Sequence, residues 1–111
     1  MVDLTFFEKV YQRRSSKDEA LHSLYLDVSP KTFEAMKLNL KNEDWEQLRI
    51  NAHSLKPQAD FMGINSLKEE LIKIEEAVTS NNFDILENLF NTSFKIATDS
   101  EIILKEMLEE L

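Results

Sequence analysis

The sequence predicts an all-α fold: an up-down antiparallel four-helix bundle with a short additional N-terminal helix. Three observations carry that expectation. The 111 residues contain one glycine and two prolines, too little turn chemistry for a many-stranded β fold. Several stretches repeat apolar residues at steps of three and four, which marks one buried helical face. The segments between them are short, so consecutive helices become antiparallel neighbours. At this length one domain, residues 1–111, is expected.

The elements follow in order. Phe6, Phe7 and Val10 share a face in a short helix from about Leu4 to Gln12. Ser16-Lys17-Asp18-Glu19 fits a capping box, in which Ser and Glu satisfy each other's backbone N–H groups. Ser29-Pro30 reads as a cap with proline at the first helical position, so Lys17 to Leu40 is two helices or one helix kinked at Pro30. Asn42 is the expected N-cap of the next helix, with Glu43 and Asp44 at the positive end of its dipole. Its seam is Trp45, Leu48, Ala52, Leu55, Ala59 and Met62, and it stops at Gly63, suited to the left-handed C-terminal turn. Asn65 is the expected cap of a helix whose face carries Ile64, Leu67, Leu71, Ile74 and Val78. Ser80-Asn81-Asn82 is a turn. A last apolar pattern runs from Leu86 through Phe90, Ile96 and Leu104 to Leu111, with a capping-box break expected at Thr98-Asp99-Ser100-Glu101.

Charge and composition exclude several functions. Lys+Arg is 13 against Asp+Glu 21, a formal net charge of -8. A nucleic-acid surface needs a basic face that displaces counterions, and an anionic membrane surface needs the same. Neither partner is expected. The chain has no cysteine, which removes disulfides, thiolate metal sites and cysteine nucleophiles. No apolar run approaches the ~20 residues of a spanning helix, and no secretory signal opens the chain, so a cytoplasmic location is expected.

Two histidines remain as candidates for chemistry. Glu19 and His22 have the Glu-x-x-His spacing of di-iron bundles, but such a site needs a second copy, and Ile50 stands three residues before His53. No metal site is expected, and His22 reads as a surface or boundary residue. His53 falls off the apolar seam and so faces water or a partner. Arg49 and Lys56 flank it at four and three residues, with Asp60 on the same side. Those cations disfavour a charged ring and attract an incoming anion, leaving a nitrogen able to accept a phosphoryl group. An ordinary exposed histidine has the same spacing, and both readings stand at this point.

Ile50, Pro57 and Phe61 lie on the face opposite the seam, either as a docking surface or covered in part by the Phe6/Phe7 helix. Pro57 cannot donate to the carbonyl of His53, which predicts a kink centred on that residue.

The run Ala52-His53-Ser54-Leu55-Lys56, with Gly63 ten residues after His53, resembles the histidine-containing phosphotransfer (HPt) domain. Asp44-Trp45-Glu46-Gln47-Leu48-Arg49 before it and Leu67, Leu71 and Ile74-Glu75 after it agree with the resemblance. Where the family usually has a small residue after the lysine, this chain has Pro57. The resemblance implies a phosphorelay intermediate in two-component signalling, with no kinase activity and no cofactor of its own. His53 would be the phosphoacceptor and Lys56 the cation beside the phosphoryl group, with Arg49, Ile50, Pro57 and Phe61 as docking residues. The implied partners are response-regulator receiver domains, which would bring the Mg²⁺, and a hybrid sensor kinase; a monomer is expected. Glu75 on the antiparallel neighbour is a candidate to orient the ring. The alternative is a receiver-binding adaptor that is never phosphorylated.

Overall fold

The computed structural model describes residues 2–12 and 16–109. Its helices are α1 (Leu4–Gln12), α2 (Ser16–Lys41), α3 (Trp45–Met62), α4 (Asn65–Thr79) and α5 (Leu86–Glu109), with a single 3-10 turn at Phe83–Ile85 before α5. Helix α3 packs on α2 and α4, and α5 closes the ring by packing on the same two. The all-α bundle with a short leading helix is therefore the observed architecture. The Ser16 side chain of the expected capping box and Leu111 lie outside the described residues.

Every α3 seam residue from Leu48 to Met62 is buried, as are Ile64, Leu67, Leu71, Ile74 and Val78 along α4. Burying these stripes offsets the conformational entropy of ordering the helices. On α2 the inward stripe is His22, Tyr25, Ser29, Phe33 and Met36, again at steps of three and four. That stripe explains why α2 is neither two helices nor interrupted at Pro30. Tyr25 and Phe33 stand on either side of the proline and reach the same core only if the helix keeps its register. Ser29 is not a cap. Its hydroxyl is buried and donates to Glu101 Oε2 at 2.9 Å.

The break expected in α5 at Thr98–Glu101 is likewise absent. Ser100 is buried; its hydroxyl bonds to the Ala97 carbonyl at 2.7 Å and meets the Tyr25 hydroxyl at 2.8 Å. The capping residues are spent on packing α5 against α2. Burial pushes the Tyr25 phenol up to about 12, against the opposing hydrogen bonds from Ser100 and Ser29.

Burial also pushes the Glu101 carboxyl above the ordinary glutamate range, opposed by the Ser29 hydrogen bond and the Lys105 charge. A raised acid holds more protons folded than unfolded, so it costs stability as pH climbs from the ordinary glutamate value through the raised one. Glu101→Gln keeps an acceptor for Ser29 and removes that ionisation. Its stability relative to wild type, measured in urea from about pH 4 to about pH 7, should improve as pH rises. A constant difference would remove Glu101 from the pH response.

Two caps differ from expectation. The Asn42 N–H still bonds to Leu38 at the end of α2, Glu43 takes a left-handed φ of 56°, and Asp44 is the N-cap of α3, accepting from the Gln47 N–H at 3.4 Å. The last turn of α2 occupies Asn42, so the cap moves on. Ile64, not Asn65, holds the cap position of α4, because its side chain is needed in the core. The missing acceptor comes from the other end of the chain: Asp3 Oδ1 takes the Ser66 N–H at 3.0 Å and the Ser66 hydroxyl at 2.7 Å. A carboxylate at a helix N-terminus is favoured by free N–H groups and by the dipole. Helix α1 is thus tied to the α3–α4 turn, with Phe6 and Val10 buried beneath it.

Candidate functional site

The outward face of α3, beside α4, carries the site. The His53 side chain is 68% exposed, while Glu75 opposite it on α4 is only 16% exposed. Helices α3 and α4 run antiparallel from the tight turn at Gly63, which has φ +77°, and this brings position 53 level with position 75. Glu75 Oε1 lies 2.7 Å from His53 Nδ1, and Glu75 Oε2 lies 2.7 Å from Lys56 Nζ. One carboxylate therefore joins ring and ammonium. A carboxylate only accepts, so the Nδ1 atom facing it carries the proton and Nε2 presents its lone pair outward.

Each flanking charge already has a partner. Arg49 is paired with Glu46 on its own helix, which holds the Glu46 carboxyl below its usual range. Lys56 is paired with Glu75. Asp60 bonds to Lys68 at 2.9 Å, and its carboxyl too is lowered by that partner. An open hollow of about 570 Å³ lies on one side of the ring, lined by Arg49, His53, Lys56, Glu75, Glu76, Thr79 and Ser80. A second, of about 320 Å³, lies on the other side between Lys56, Pro57, Asp60, Lys68 and Ile72. The ring thus stands between two open recesses on a ridge edged by both charges.

Of the apolar residues beside it, Ile50 is 43% exposed and Pro57 is exposed, while Phe61 is half-buried. Phe61 is covered by α2, its ring centroid 6.2 Å from that of His22. Helix α1 lies instead at the α3–α4 turn. Helix α3 runs unbroken through Pro57.

His22 is 2% exposed, not a surface or boundary residue, because it lies three residues before Tyr25 on the α2 core stripe. Among the described residues no cluster of three or more His, Asp or Glu could hold a metal ion. No described helix is long and apolar enough to cross a membrane.

The sequence matches the Hpt domain family over residues 20–111. The chain belongs to the Hpt domain family. This gives it a role in histidine phosphotransfer within a two-component phosphorelay, where Hpt domains act with the receiver domains of response regulators. The fold is shared with the crystal structure of histidine-containing phosphotransfer protein B (HptB) from Pseudomonas aeruginosa PAO1, at a TM-score of 0.86 and 17% identity, covering 99% of this chain and 96% of that one. No curated protein matches it by sequence.

In this Hpt domain the sequence pattern brings His53 and Lys56 to one face. It could not show that Glu75 grips both, since that depends on the offset between two helices. Two further residues matter here: Leu24 beside the docking face, and Asp3, which caps α4 through Ser66. Asp3 acts across the whole chain, whereas Leu24 borders the hollow beside Pro57 and Phe61 and had a signal, one residue from the core stripe of α2.

Proposed function

We propose that His53 is the phosphoacceptor, taking a phosphoryl group from a receiver-domain aspartate and passing it to another. One observation carries this reading: an exposed imidazole whose Nδ1–H is anchored to Glu75, leaving Nε2 free to attack.

A receiver carrying phosphoaspartate and Mg²⁺ docks over Ile50, Pro57 and the open edge of Phe61, its acidic pocket meeting Lys56 and the Arg49–Glu46 pair. Nε2 attacks phosphorus in line with the departing aspartate oxygen. The transition state calls for alignment and charge stabilisation more than for further reactive groups. Lys56 supplies a cation held beside the ring by Glu75, and the open recesses on both sides leave the approach unobstructed.

The test is incubation of the protein with a phosphorylated receiver. An acid-labile, base-stable phosphate on the protein supports relay. Tight binding with no label leaves only the adaptor.

Lys56→Ala should slow phosphoryl transfer by at least about tenfold, the usual scale for losing one charge-stabilising donor. It should weaken receiver binding by less than about threefold, since a rim charge contributes little to affinity. Rapid-quench transfer rates set against binding measured with an unphosphorylated receiver separate the two. Equal transfer rates would take Lys56 out of the mechanism.

A further inference from the structure

We propose that Glu75 keeps the Nδ1 proton on the ring after His53 is phosphorylated, and so sets how fast the phosphoryl group moves on. The inference rests on His53 being the phosphoacceptor and adds what happens after uptake. In uptake, the Nε2 lone pair forms the N–P bond, the aspartyl O–P bond breaks, and its electron pair leaves on the aspartate. The Nδ1 proton has not moved, so the product ring is a cation. In the onward step a carboxylate oxygen of the second receiver bonds to phosphorus. The N–P bond breaks and its pair returns to Nε2, leaving neutral imidazole.

That departure is easy only while Nδ1 is protonated. If the proton is lost first, the leaving group is an imidazolate, a far stronger base, and the phosphoryl group is stranded. Retention of one proton therefore decides discharge.

The charges around the ring determine whether the proton stays. From α3, Arg49, Lys56 and Asp60 line the two recesses; from α4, Lys68, Glu75 and Glu76 do so, and among the described residues none of α1, α2 or α5 lines either one. Arg49 is neutralised by Glu46 and Lys68 by Asp60, while Lys9 of α1 reaches the Asp60 carbonyl. Among the described residues it is Glu75, mostly shielded from water, that bonds to the Nδ1 bearing the proton in question, at 2.7 Å. A negative charge in direct contact with a ring N–H opposes loss of its proton. When the phosphoryl group arrives, it competes for Lys56, which frees more of the Glu75 charge for the ring.

Glu75→Gln is the test, because its amide oxygen still accepts from Nδ1–H but carries no charge. Wild type and variant are phosphorylated with potassium phosphoramidate, and the phosphohistidine is titrated by ³¹P and ¹⁵N NMR. Discharge to a purified receiver domain with Mg²⁺ is then followed across the same pH range. The variant's protonation midpoint should fall by about one unit or more. Its discharge should be about tenfold slower on the alkaline side and unchanged on the acid side, a one-unit shift being a tenfold change in protonated fraction. Lys56→Ala should move the midpoint upward. A midpoint unmoved in Glu75→Gln, or discharge slowed equally at every pH, overturns the proposal and leaves Glu75 a packing residue. A wild-type protein that takes no label on His53 overturns the phosphoacceptor reading itself, a different result from a labelled protein with an unchanged midpoint.

Discussion

His53→Gln should fold normally and take up no phosphoryl group from a phosphorylated receiver. The ring is 68% exposed, so replacing it disturbs little packing, and surface substitutions of this kind stay within about 0.5 kcal/mol of wild type. Glutamine retains a polar side chain of similar reach, but its amide nitrogen has no lone pair available for attack on phosphorus. The Lys56–Glu75 pair does not pass through the ring and should persist. Ile50 and Pro57 remain exposed for docking, so receiver binding should change little. Label incorporation, thermal melting and receiver binding, measured side by side, give an all-or-none loss in the first and near-identity in the others. The result is decisive because the chain has two histidines and the other, His22, is buried. Label persisting in this variant would move the acceptor to a residue that is not a histidine.

Gly63→Ala should destabilise the protein by about 2–4 kcal/mol and loosen α1, by two mechanisms. A left-handed conformation costs a non-glycine residue roughly 1–2 kcal/mol, and Gly63 sits at φ +77°. An added Cβ would also lie 2.8 Å from the Thr5 carbonyl oxygen and 2.9 Å from Lys9 Cδ. The lysine stem can move aside, but the Thr5 backbone moves only with its helix. Displacing α1 uncovers part of Phe6 and Val10 and strains the Asp3 cap on α4, a partial loss of about 1–2 kcal/mol, below that of a full large-to-small core substitution. Urea unfolding gives the total, and limited proteolysis within residues 4–12 reads the loosening. A variant within about 0.5 kcal/mol of wild type, with α1 equally resistant, would mean the helix adjusts without cost.

Reading the sequence alone succeeds where one helix answers to its own periodicity, and stops where two helices must agree. The seams from Leu48 to Met62 and from Ile64 to Val78 are buried because their spacing gathers the apolar side chains on one face. His53 is exposed because it falls off that spacing. The failures have one cause as well. Ser29-Pro30 and Thr98–Glu101 have the local chemistry of helix ends, and in isolation would be expected to cap. In the bundle Ser29 and Ser100 bond across α2 and α5, and an unbroken stripe from Tyr25 to Met36 buries more than a cap would gain. Asn65 lost its cap to Asp3 in the same way, through a partner remote in the chain. His22 is buried for a reason its Glu-x-x-His spacing does not record: it lies three residues before Tyr25 on the α2 core stripe.

The sequence by itself determined the helical class, the faces of α3 and α4, the turn at Gly63, and a histidine with a lysine one turn on. Those follow from repeats within single segments and from the conformations open to individual residues. Only the tertiary structure decided that α2 and α5 run through their apparent breaks, that α1 is tied to α4 by Asp3, and that Glu75 holds both His53 and Lys56. Each of these depends on the axial offset between packed helices, which the summed interdigitation of many side chains settles and no short stretch of sequence records.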